Sequence, residues 1–188
     1  MGQVYSNGGK MIYDTKYIFL IILLIVSVYF DLRFRKIPNC LILAGVVAGV
    51  LLNTLTNGLN GFLGSIYGLI LGIVLLVLPF ALGGIGAGDV KLLGVVGAVN
   101  GTALVFQTFL VMAVWGGLIS FILLLRSGQL LKILKWFTGL IKEFLMAAVL
   151  KGRYMITLKP MPSTGMSLPY AVPLFMGTVT LFLIGGFL

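Results

Sequence analysis

Histidine is absent from this 188-residue chain, cysteine occurs once, and acidic residues number only four. Each shortage removes chemistry. Without an imidazole there is no Ser-His or Cys-His nucleophile of the usual kind. The lone Cys40 permits neither an internal disulfide nor a cysteine-based zinc site, and is expected to be a small buried apolar residue. Charged residues make up only 9% of the chain and hydrophobic residues 60%, whereas a soluble domain carries about a quarter charged residues. An integral membrane protein is implied.

The net charge of +9 does not argue for nucleic acid, because the basic residues fall between apolar runs instead of forming a basic patch. Lipid is the partner this composition calls for, and no nucleic acid is expected.

The apolar runs predict an all-α polytopic bundle of about six transmembrane helices, residues 1–188 forming a single domain. Residues 1–16 read as a polar, loosely ordered N-terminal segment. Helix 1 is expected from about Tyr17 to Phe34 and carries Asp31 near its end. Its apolar run is followed by Asp and Arg, not a small-residue cleavage site, so it reads as a retained helix and not a signal peptide. Pro38 suits the first turn of a helix, and helix 2 is placed from Pro38 to about Leu55. Helix 3 spans about Gly61 to Leu82, with Gly64, Gly68 and Gly72 at a spacing that lets a neighbouring backbone approach.

A glycine-dense turn follows, Gly83-Gly84-Ile85-Gly86-Ala87-Gly88-Asp89-Val90-Lys91. Helix 4 is expected to begin at Asp89 and end near Asn100-Gly101, and helix 5 to run from about Thr102 to Leu125. Residues 127–160 form a cytosolic amphipathic segment. Within it Leu130, Leu131, Ile133, Leu134, Phe137, Leu140, Ile141, Phe144 and Leu145 keep helical periodicity against Lys132, Lys135, Lys142 and Glu143, the pattern of a helix lying in the membrane interface. Helix 6, about Met166 to Leu188, closes the chain.

With the N-terminus outside, Arg33, Arg35, Lys36, Lys91, Arg126, Lys132, Lys135, Lys142, Lys151, Arg153 and Lys159 all fall inside; of the thirteen basic residues only Lys10 and Lys16 fall outside. The positive-inside rule selects this orientation in the cytoplasmic membrane. It also brings Asp31 and Asp89 to one depth on the cytosolic side.

Each aspartate has a purely structural alternative. Asp31 can pair with Arg35 one turn on, and Asp89 can cap a helix. Carboxylates in or beside membrane helices are costly, however, and usually mark function. Two of them a few ångströms apart do not both ionise easily, which leaves an acid and a base at one pH. Water-mediated peptide hydrolysis needs that combination. Gly86 and Gly88 would let the backbone turn tightly and approach an extended substrate, although a glycine-rich turn is also a simple helix connection. Lys91 reads as an interfacial anchor or as a charge tuning the pair. Two aspartates without histidine or a nearby glutamate make a poor metal site, and no cofactor is expected.

Asp31 followed by Ile37-Pro38-Asn39, with Gly86-x-Gly88-Asp89-Val90-Lys91-Leu92-Leu93 further on, resembles the type IV prepilin peptidase family of GxGD aspartic proteases. The late Pro169-Tyr170 is also similar to that family, and the likeness extends over nearly the whole chain from helix 1 onward. By this resemblance Asp31 and Asp89 match the catalytic aspartates, with Gly86, Gly88, Lys91, Pro38 and Asn39 as the surrounding motif. The implied substrate is a prepilin or preflagellin carrying a basic N-terminal leader. Larger members carry an extra cytosolic segment with paired cysteines, associated with N-methylation. This chain lacks the pair and resembles the minimal Tad/Flp or archaeal preflagellin type, which implies peptidase without methyltransferase activity. Its rivals are a presenilin-like protease cutting within a helix, a small cation or proton transporter using the Asp pair, and a non-catalytic assembly subunit. The Ile-Pro-Asn context argues against the first. Against a transporter stands the placement of both aspartates near one face instead of the midplane.

Overall fold

The computed structural model describes residues 7–128, 130–149 and 169–184, and every regular element among them is helical. In chain order these are α1 (Asn7–Phe34), α2 (Asn39–Ala81), α3 (Ala87–Ser127), α4 (Leu130–Val149) and α5 (Ala171–Ile184). Three stretches, Thr15–Phe34, Asn39–Ala81 and Ala87–Ser127, are long and apolar enough to cross a membrane. With α-helices as the way to satisfy the backbone in lipid, this is an all-α membrane protein.

The two longest helices are not straight. A continuous helix of α2's 43 residues would extend about 65 Å, twice the roughly 30 Å of a hydrocarbon core. Gly58 breaks it, with φ 57° and ψ −137°, a left-handed backbone setting that favours glycine. The chain folds back there so tightly that a Cβ on Gly61 would overlap the carbonyl of Asn53. Gly101, at φ 80°, breaks α3 in the same way. The arms are therefore 39–57 and 59–81 in α2, and 87–100 and 102–127 in α3.

Side-chain register gives the direction of each arm. Lys16 bonds Asn53 and Leu23 faces Gly45, so α1 runs antiparallel to arm 39–57. Gly45 and Gly49 face Val95 and Val99, making arms 39–57 and 87–100 parallel. Gly68 and Gly72 face Gly97 and Leu93, so arm 59–81 runs the other way. Gly177 against Met112 and Gly116 against Pro173 set α5 antiparallel to arm 102–127. Direction thus alternates along the chain, and the ends of α1 and of arm 59–81 lie at the same end of the bundle as the starts of α2, α3 and α5.

Arm 87–100 is the centre. Every residue from Leu92 to Val99 is buried, as expected of a helix apolar all round. Gly68 and Gly97 meet backbone to backbone, and a Cβ on either would overlap the other's carbonyl. Gly64, the first glycine of the expected stripe, faces open space. On α1 the buried positions Leu20, Leu23, Leu24, Ser27 and Asp31 form one stripe, while Ile18, Ile22, Ile25, Tyr29 and Leu32 point outward. Asp31 continues the core-facing stripe of its helix.

Several boundaries differ from the sequence reading. α1 begins at Asn7, so residues 7–16 are helical; the polar segment's residues 1–6 lie outside the described residues. Helix 2 starts at Asn39 with Pro38 as its N-cap, because the extended ψ of 131° at Pro38 places it just ahead of the first turn. Cys40 is exposed, not buried. α4 touches only α3 among the described helices and leaves Leu131, Leu134, Phe137, Ile141, Phe144 and Leu145 exposed. The last part of the 127–160 segment and both ends of helix 6 lie outside the described residues.

Candidate active site

At the end of the bundle where α1 finishes and α3 begins, both aspartates are buried: Asp31 is 8% exposed and Asp89 7%. Asp31 sits in the last turn of α1. That helix is closed by Arg35, whose φ of 54° is left-handed and whose N–H donates to the Asp31 carbonyl at 3.0 Å, the bond of an αL cap. The charge of Arg35 reaches the Asp31 carboxylate. A second contact comes from the other end of the chain, where the Ala171 amide donates to Asp31 Oδ2 at 3.4 Å.

Asp89 does not cap its helix. The N-cap is Gly86, with φ −78° and ψ 151°, and no side chain bonds there. α3 starts at Ala87, two residues before the expected position, and Asp89 lies inside its first turn. The Asp89 amide donates to the Gly86 carbonyl at 3.1 Å. Its Oδ1 is buried with no hydrogen-bond partner, a costly state for a polar atom. Asp31 lies close enough for its charge to act on Asp89, and Asp89 acts in turn on the half-buried phenol of Tyr170.

The glycines divide their tasks differently from the sequence expectation. The left-handed residue of the turn is Gly83, at φ 75°. Gly86 is extended, and its missing side chain matters for another reason: a Cβ there would stand 3.1 Å from Asp89 Oδ2. At Gly88 a Cβ would make ordinary 3.4 Å contacts with Ile37. Lys91 Nζ donates to Asn39 Oδ1 at 3.0 Å, so residues from the two motif segments touch directly, and Pro38 caps the helix that Asn39 begins.

Sequence reasoning missed two features. Tyr170 and Ala171 complete the aspartate end, and only the late Pro169-Tyr170 pair hinted at it. The other feature is a buried polar network at the far end. Lys16 Nζ donates to Asn53 Oδ1, 2.6 Å away, and to Thr56 Oγ1 at 3.1 Å. Asn53 Nδ2 donates to Ser65 Oγ and to the carbonyls of Ala98 and Val99 at 2.8–2.9 Å. Beside it lies a cavity of about 390 Å³ lined by Asn53, Asn57, Asn60 and Asn100. It is separated from the aspartates by the length of the bundle.

A membrane-embedded helical bundle with two inward carboxylates at one end is the class of protein that fold and site define. Residues 18–121 match the model of the type IV leader peptidase family. The match covers more than half of the chain, which belongs to this family and is a peptidase. Comparison with curated proteins and with solved structures gives no match.

Proposed function

We propose that this peptidase is an aspartic endopeptidase in which Asp31 and Asp89 activate water. The observation that carries the reading is their joint burial at one end of the bundle, on separate helices. A capping role does not account for Asp89, which is not the N-cap and keeps an unpartnered oxygen.

The pair shares one proton. The ionised carboxylate takes a proton from water as its oxygen attacks the scissile carbonyl carbon, and the protonated carboxyl hydrogen-bonds the carbonyl oxygen as that oxygen gains charge. Collapse of the tetrahedral intermediate breaks the C–N bond while a proton passes to the leaving amine. The missing side chain at Gly86 leaves Asp89 Oδ2 uncrowded on that side, which suits close approach of an extended peptide.

The substrate is a prepilin-like or preflagellin-like protein with a basic N-terminal leader, cut at the cytosolic boundary of the cytoplasmic membrane. Each of the six alternating segments crosses the bilayer with the N-terminus outside, and α4 lies in the cytosolic interface, apolar side down, with its lysines toward lipid headgroups. No methyl transfer accompanies cleavage; transfer from S-adenosylmethionine to a pilin by the purified protein would refute that part.

The test is co-expression with a prepilin carrying a basic leader, read as a gel shift, for wild type and the Asp31→Asn and Asp89→Asn variants at equal membrane levels. Cleavage by wild type alone supports the dyad. Cleavage by both variants removes it, and cutting at mid-helix instead of the boundary points to a presenilin-like reaction.

A further inference from the structure

The chain between the two aspartates is long, but the path that fixes their relative position is short. From Asp31 the last turn of α1 leads to Arg35, and only Lys36, Ile37 and Pro38 separate Arg35 from the start of α2. Two contacts lay that linker across the start of α3: Ile37 rests on Gly88, and Asn39 Oδ1 accepts from Lys91 Nζ at 3.0 Å. Gly88 immediately precedes Asp89, and Lys91 follows it by two residues.

We propose that Lys91 and Asn39 are positioning residues that set the separation of the two carboxylates by tethering the end of α1 to the first turns of α3. The inference rests on the peptidase reading for its functional consequence, not for its geometry. Lys91 does not itself touch the reacting atoms: its ammonium is engaged by the Asn39 amide, outside the buried pair. Asn39 is not merely a cap either, because α2 takes its N-cap from Pro38 and no side-chain bond closes it. A lysine that served only as an interfacial anchor would have no reason to meet a neutral amide oxygen from another helix. The bond restrains a linker whose left-handed Arg35 is an unfavourable setting for a side-chain-bearing residue. With the far end of the linker pinned, the reach of the Asp31 turn is confined to a few residues of chain.

The test has two arms. In the first, Asn39→Ala, Lys91→Met and the double variant are assayed on a prepilin with a basic leader. Each single change is expected to lower kcat about tenfold with little change in KM, short of the roughly hundredfold loss that a 1 Å misplacement can cause. The double variant is expected to lose no more than either single, since both remove one coupling. Asn39→Asp, which keeps an acceptor, should retain activity. Multiplicative losses, or singles that match wild type, would overturn the proposal.

The second arm needs no substrate. Spin labels are placed at Leu32→Cys and Ala87→Cys, both exposed positions, in a Cys40→Ser background. Double electron–electron resonance should give one narrow distance distribution that broadens on adding either Asn39→Ala or Lys91→Met. An unchanged distribution would sink the tether. If wild type cuts no prepilin, the substrate reading fails while this arm still decides the geometry.

Discussion

The Ala171 amide, on the first residue of α5, donates to Asp31 Oδ2 in the last turn of α1 at 3.4 Å. A carboxylate borne by the first helix is thus oriented by the last, and the site exists only once the whole bundle has closed. Tyr170, one residue earlier, lies within the field of Asp89, so the start of α5 contacts Asp31 and stands near Asp89.

Asp31→Asn and Asp89→Asn are nearly isosteric and should abolish cleavage, with losses at or beyond the ~10²–10⁴-fold typical of removing a general acid or base. Neither should lower the thermal midpoint in detergent. Asp89→Asn should hold or raise it, because it removes a buried carboxyl whose ionisation opposite Asp31 is unfavourable, the usual trade of stability for activity. Variants that unfold instead would mark the aspartates as structural.

Gly86→Ala separates crowding from backbone strain. The backbone at Gly86 is extended and tolerates a side chain, but the new methyl would stand 3.1 Å from Asp89 Oδ2. Activity should fall about tenfold through displacement of the carboxylate, with the thermal midpoint nearly unchanged. Gly88→Ala, whose Cβ makes ordinary contacts with Ile37, should lose less. Equal effects at the two positions would contradict the geometry.

Gly68→Ala should destabilise the bundle by about 1–3 kcal/mol, the range for overpacking a close-packed contact, since its Cβ would overlap the Gly97 carbonyl. Gly64→Ala, four residues earlier and facing open space, should be near neutral. Denaturation in mixed micelles compares them directly.

Asn53→Ala takes one partner at once from Lys16, Ser65 and the Ala98 and Val99 carbonyls, and should cost more than Ser65→Ala, which removes one partner. An unsatisfied buried group costs about 1–3 kcal/mol. Because this network sits at the far end, kcat of the folded fraction should not change. A selective loss of kcat would imply coupling between the two ends.

Composition and the apolar runs made the helical membrane fold legible, and the reversals at Gly58 and Gly101 fall between the expected helices 2 and 3 and at the Asn100-Gly101 end of expected helix 4. Asp31 was readable as an inward position because Leu20, Leu24 and Ser27 precede it at helical spacing. The burial of Lys16 and Asn53 was not legible: a lysine and an asparagine near an apolar run look solvated until a partner helix supplies Ser65 and the Ala98 and Val99 carbonyls. The Ala171 contact with Asp31 is equally invisible, since a backbone amide leaves no mark on sequence. Asp89's place within the first turn was missed because Ala87 and Gly88 carry no strong start signal, whereas Asp at a helix boundary resembles a cap.

The glycine contacts between α2 and α3 distribute stiffness unevenly. Where Gly68 meets Gly97 and Gly72 meets Leu93, backbone lies on backbone, and no rotamer can yield to let these arms slide. α1 meets its neighbours through side-chain ends instead, Leu23 on Gly45, Tyr17 on Phe182 and Lys16 on Asn53. Asp89 is therefore mounted on the unyielding part of the molecule and Asp31 on the compliant part. A small swing of α1 about the Arg35–Pro38 linker is the softest deformation open to the site, and it changes the spacing of the carboxylates while leaving the central helix as it stands.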